Sequence, residues 1–158
     1  MWQRIQTVFL ALVVLSLAAA IFLPIWGMNE GDTQHILFAL YYGTRSLAES
    51  TGDMTVQSYV PYCITAILLT ASLTIAIIEI TKFKNRILQI KLGTLNALLL
   101  AGGLGSAVYF ATELVKTHDG GQYGFGLWLP GIAVIFNWLA MRFIRRDEKL
   151  VRDSERLR

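Results

Sequence analysis

The sequence predicts an all-α membrane protein: four transmembrane helices in a single domain, both chain ends in the cytoplasm, and a longer external loop between the first two helices. Three observations predict it. Hydrophobic residues make up 54% of the 158-residue chain and charged residues only 16%, a balance outside that of ordinary soluble domains. Four apolar runs reach the roughly 20 helical residues needed to cross about 30 Å of hydrocarbon. The 14 Lys and Arg residues are spread very unevenly around those runs.

The first run, residues 8–26 (VFLALVVLSLAAAIFLPIW), follows Arg4 and contains Ala18 and Ala20, so its start imitates a secretory signal. Apolar character continues past Ala20 through Ile21, Phe22, Leu23 and Trp26, which predicts an uncleaved span. The second run is 59–80 (YVPYCITAILLTASLTIAIIEI), the third 92–115 (LGTLNALLLAGGLGSAVYFATELV) and the fourth 125–144 (FGLWLPGIAVIFNWLAMRFI). Pro24, Pro61 and Pro130 fall in the outer portions of their spans, where neighbours or interfacial water can satisfy the backbone groups that proline frees. In the third run Gly103, Ala107 and Ala111 form one small-residue stripe, and Ala97, Ala101 and Gly105 a second. Such stripes let helix backbones approach closely in lipid. They predict helix three as the centre of the bundle, with a homodimer seam as the alternative use.

The segment from Gly27 to Ser58 is too long for a simple connection. ILFALYY (36–42) is apolar but too short to span, and DMTVQSY (53–59) alternates as a strand does. A small external hairpin would bury Ile36, Phe38, Leu40 and Val56. An interfacial helix over 33–50, presenting Leu37, Leu40, Tyr41 and Leu47, is the competing assignment. Helix or irregular structure is favoured for 43–50, and 36–42 stays open. The second external loop, KTHDGGQYGFG (116–126), reads as a glycine-rich turn with room for a short strand.

Orientation follows from the cations. Arg4, Lys82, Lys84, Arg86, Lys91, Arg142, Arg145, Arg146, Lys149, Arg152, Arg156 and Arg158 lie on one side, against Arg45 and Lys116 on the other. The positive-inside rule puts the larger group in the cytoplasm. Aromatic residues mark the boundaries, with Trp2 and Trp138 toward the inner side and Trp26, Tyr59, Tyr62, Tyr109, Tyr123 and Trp128 toward the outer.

The residue types that carry chemistry are sparse. The lone Cys63 excludes an intramolecular disulfide, a CxxC pair and a thiolate metal cage. Phosphate-loop, zinc-protease and serine-elbow motifs do not occur in the chain. His35 and His118 both fall in external loops, whereas haem ligands sit inside spans, so no cofactor is expected. A shared external metal site with Asp32, Glu113 or Asp119 is geometrically allowed, but solvated loop histidines are the expectation. Glu79 and Glu113 each precede a lysine by three residues, Lys82 and Lys116, which predicts interfacial ion pairs. A proton or cation relay is the alternative. Asn96 and Asn137 lie deeper, at depths that permit an amide bond between helices three and four.

The chain closes on RRDEKLVRDSERLR, without a helix breaker, so residues 145–158 are expected to continue span four as a basic cytoplasmic helix. Phe143, Leu150 and Leu157 recur every seven residues and, with Ile144 and Val151, draw a narrow apolar stripe. Leu150, Val151 and Leu157 are candidates for docking on the 82–91 linker or on another protein. Lys82, Lys84, Arg86, Arg145, Arg146 and Lys149 are candidates for anionic-lipid contact. The alternating signs of the tail disfavour nucleic acid.

The opening MWQRIQTVFL, the first span ending in FLP, the basic linker between spans two and three, and the closing MRFIRRDEKLVRDSERLR resemble a Bacteroidetes family of four-helix inner-membrane proteins catalogued only as a domain of unknown function. The resemblance covers nearly the whole chain and implies four spans with cytoplasmic termini. It supplies no activity or catalytic residue. The expected role is a non-enzymatic subunit or scaffold of an inner-membrane complex, in contact with lipid and with another membrane protein or a second copy. The alternative is a small transporter or ion-conducting protein using Glu79, Glu113, Asn96 and Asn137.

Overall fold

The computed structural model describes residues 3–47, 54–83 and 85–156, without the side chains of 3, 4 and 154–156. Helix α1 spans Gln3–Phe22, α2 Cys63–Thr81, α3 Arg86–Thr117 and α4 Phe125–Arg156. All four are long and apolar enough to cross a membrane. Helix α1 stops just ahead of Pro24, whose ring lacks an N–H and disfavours helical geometry in the preceding residue. Asn85 caps α3 by accepting a hydrogen bond from the Leu88 amide at 3.1 Å. At the other end of α3 the His118 amide reaches back to the Leu114 carbonyl at 3.0 Å, and positive φ angles at Asp119 and Gly121 turn the chain.

The helices run up, down, up and down as a ring: α1 packs on α2 and α4, and α3 packs on the same two. The most extensive pairing is α1 with α4, so α3 is one member of the ring and not its centre, contrary to the expectation from its small residues.

The all-α fold class is overturned. One end of the bundle carries a five-stranded antiparallel sheet of order β4-β3-β2-β1-β5. Its strands are β1 Trp26–Glu30, β2 Thr33–Leu37, β3 Tyr42–Ser46, β4 Met54–Ser58 and β5 Gln122–Tyr123. The hairpin reading of the first external segment is compatible with it, but the sheet is larger; β2 and β3 stand in place of the alternative interfacial helix over 33–50, of which 48–50 lie outside the described residues. Trp26, assigned to the first span, opens β1. The physical reason is that strands of at most five residues are marked only by strict alternation, which β1, β2 and β3 lack. Only one face is buried, so WGMNE and YGTRS contain few apolar residues.

Trp26, Leu37 and Tyr42 are buried on the face turned to the helix ends, in one core with Leu17, Phe110, Leu114 and Leu127. Backbone bonds fasten sheet to bundle: the Ala66 amide to the Ala39 carbonyl at 3.1 Å, Gly124 to Ile25 at 2.8 Å and Gly126 to Pro24 at 3.0 Å. Gly124 and Gly126 approach so closely that a Cβ on either would collide with the Pro24 carbonyl.

Candidate functional sites at the two ends of the bundle

Of the α3 stripes, Gly103, Ala107 and Ala111 are buried, with Gly103 against Leu68 and Leu69 of α2. Ala97, Ala101 and Gly105 lie on the exposed surface. The first stripe packs the bundle and the second faces away from it.

Toward the end where α1 starts and α4 closes, the bundle encloses a polar group. Ser72 Oγ donates to Asn96 Oδ1 at 2.5 Å, Asn96 Nδ2 points to Asn137 Oδ1 at 3.4 Å, and Asn137 Nδ2 donates to the Gly93 carbonyl at 3.1 Å. Three helices are thereby tied through amides that water does not reach. About two turns nearer the end, Gln89 donates to the Glu79 carbonyl at 2.9 Å. The Glu79 carboxyl is fully buried, and neither of its oxygens has a partner among the described residues. Glu79 does not form the expected pair with Lys82, which is exposed beyond the last helical turn. Glu113 is exposed near the opposite end of α3, so the four-residue transport group predicted from sequence divides: Asn96 and Asn137 meet, Glu79 lies beside Gly93 in the same half of the bundle, and Glu113 stands apart.

The tail is held by charge. Arg86 Nη2 lies 3.0 Å from Asp147 Oδ2 and Arg86 Nη1 donates to the Asp147 carbonyl at 3.2 Å, fastening the start of α3 to α4. Glu148 and Arg152 pair at 3.6 Å along the helix. Leu150 and Val151 are exposed, and Leu157 and Lys84 lie outside the described residues. Lys82, Arg145, Arg146 and Lys149 are exposed around the same end.

At the sheet end, strand register builds a second cluster. His35 on β2 lies opposite Met28 of β1 and Thr44 of β3, so Glu30 and Tyr42 are its diagonal neighbours on the same face. His118, fixed at the C-cap of α3, rises beneath that face. The imidazoles come within 4.5 Å, centroid to centroid, and the His118 ring stacks at 5.8 Å on buried Trp26. The Tyr42 hydroxyl lies between them, 2.5 Å from His35 Nδ1 and 3.2 Å from His118 Nε2. The remaining ring nitrogens both face Glu30 Oε2, His35 Nε2 at 3.6 Å and His118 Nδ1 at 3.4 Å. Burial, with smaller contributions from Tyr62 and Glu30, raises the pKa of Tyr42 and keeps its hydroxyl protonated.

The two histidines are therefore not solvated loop residues, since their side chains are only 15% and 18% exposed. Asp32, Glu113 and Asp119, the acidic partners considered from sequence, do not join them; Glu30 does. Sequence reasoning missed Glu30 and Tyr42. The available signal was the two-residue Gly31-Asp32 connection, which fixes a hairpin register.

Bundle and cap together define a class: four apolar helices, each long enough to cross a membrane, closed at one end by an antiparallel sheet. A family model described as Domain of unknown function (DUF4293) matches residues 2–157, and the chain belongs to that family. No curated protein matches it.

Proposed function

We propose that this chain is a multi-pass protein of the bacterial inner membrane, with termini and tail in the cytoplasm and the sheet outside. In this reading it is a non-enzymatic subunit or scaffold of a membrane complex. The observation that carries the reading is the layer between the two polar clusters. Val13, Leu17, Leu69, Leu100 and Ala133, drawn from all four helices, are each 0% exposed and packed in one apolar core. A close-packed apolar layer offers an ion no replacement for its hydration shell. The bundle then acts as a rigid stand for what lies at either end. Outside, a cleft of about 770 Å³ opens on the outward face of β1 and β2, where Ile36 lies beside Tyr123, Phe125 and Trp128. That is where a partner protein would sit. Inside, exposed Lys82, Arg145, Arg146 and Lys149 meet anionic lipid headgroups.

The unpartnered Glu79 carboxyl favours a second reading, a proton-coupled transporter, because ionisable groups buried at membrane depth are commonly functional. Two measurements separate the readings. A photo-crosslinking residue in place of Phe125 should capture one discrete partner in intact cells. Purified protein in proteoliposomes should add no proton or potassium flux over empty vesicles. A flux abolished by Glu79→Gln would replace the scaffold with the transporter.

A further inference from the structure

We propose that Glu30, His35 and His118 form a binding site for a borderline divalent transition-metal ion of the Zn2+ class, pinning the sheet to the end of α3. One ligand atom from each residue lies within 4.8 Å of the other two. A tetrahedral ion holding imidazole nitrogen and carboxylate oxygen at about 2.0–2.2 Å keeps its ligand atoms roughly 3.3–3.6 Å apart. The two edges through Glu30 Oε2 measure 3.6 and 3.4 Å. Two imidazoles and a carboxylate favour zinc, copper or nickel over magnesium or calcium, which take oxygen ligands.

The surrounding contacts suit a metal-bound pair of imidazoles. Each ring places one nitrogen on the Tyr42 hydroxyl, Nδ1 of His35 and Nε2 of His118. That leaves His35 Nε2 and His118 Nδ1 turned to the Glu30 carboxylate, at 3.6 and 3.4 Å. With an ion among Glu30, His35 and His118, both imidazoles turn a lone pair to it and an N–H to the Tyr42 oxygen. The metal-facing atoms are Nε2 of His35 and Nδ1 of His118, and the hydroxyl that fixes each tautomer is Tyr42, 8% exposed. The site is held by rigid elements: a hairpin register, a helix C-cap and the Trp26 ring beneath His118. Its open side is Glu30, whose side chain is 61% exposed, so an ion can enter and a water can complete the fourth position.

The test uses tag-free, full-length protein in detergent, stripped with chelator and titrated with Zn2+ by calorimetry and with Co2+ by visible absorption. Expected are one ion per chain, the intense d–d bands of a four-coordinate Co2+ site, and a higher melting temperature with Zn2+. Tyr42→Phe should weaken Zn2+ binding by about 10–100-fold, as loss of an orienting hydrogen bond does, while His35→Ala and His118→Ala should weaken it further. Glu30→Gln lies at the exposed edge and leaves packing intact, so its loss of affinity is readable even where a histidine variant folds poorly. The proposal fails if the wild-type protein binds no Zn2+, or if Glu30→Gln and the histidine variants bind it as the wild type does. An imidazolium in place of the metal would give the first of these results.

Discussion

Glu79 shows how far one residue departs from its sequence context. It precedes Lys82 by one turn, but α2 ends at Thr81 and Lys82 takes the C-cap position, so the helical spacing that would pair them is lost. The carboxyl turns inward instead, beside Gly93, where a Cβ would lie 3.0 Å from Glu79 Oε1. A buried carboxyl without a partner carries a desolvation penalty of roughly 1–3 kcal/mol or more. Glu79→Met, of similar length, is expected to stabilise the protein in detergent by that order, read as a higher melting temperature; a lower one would show that the acid has an unrecognised structural partner. Asn137 sits in the opposite situation, with both amide atoms used. Asn137→Leu should cost about 0.6–1.7 kcal/mol, the range for hydrogen bonds between membrane helices. Combined with Ser72→Ala it should show a coupling energy, because both act through Asn96. The depths of Asn96 and Asn137 were legible from their places in the runs. The turning of Glu79 was not, because it depends on where a helix ends to within one residue.

At the scale of elements, α3 offers a paired experiment. Gly103 and Gly105 belong to stripes that are equivalent in sequence, but a Cβ at Gly103 would lie 2.9 Å from Leu69 Cδ2 whereas one at Gly105 meets nothing within 4 Å. Gly103→Leu should lower the melting temperature, with an overpacking cost of about 1–3 kcal/mol; Gly105→Leu should leave it near the wild-type value. Equal effects would mean that the buried stripe is not what packs α3. The helices themselves were legible, because runs of some 20 apolar residues have no other common explanation. The strands were legible in part: the alternation of 53–59 matches β4 and the short strand allowed within 116–126 matches β5, whereas β1, β2 and β3 lack a strict apolar alternation. A five-residue strand with one buried face exposes three or two of its side chains to water, so few apolar residues mark it. Tyr42 and His118, 76 residues apart, meet only through strand register and the end of α3, and no local spacing encodes that.

For the whole molecule, the sheet occupies one end of the bundle, and the start of α1, the close of α4 and the α2–α3 linker occupy the other. Of the cations among the described residues, only Arg45 on β3 and Lys116 at the close of α3 belong to the sheet end. Such asymmetry is what the insertion machinery reads, through short loops and residues close to the span ends. The fold thus turns a charge count into a statement about which face holds the sheet, since the sheet cannot cross the hydrocarbon with exposed edge groups. Thr55 on β4 and Phe83 in the α2–α3 linker are both exposed and lie at opposite ends. With Cys63 replaced by Ser, a cysteine at 55 should react with a membrane-impermeant maleimide in intact cells, and a cysteine at 83 only after the membrane is opened. The reverse pattern would put the sheet and its histidine cluster in the cytoplasm. The proposed metal site would then face glutathione and other strong intracellular chelators, and the basic tail would lose the anionic leaflet that its charge suits.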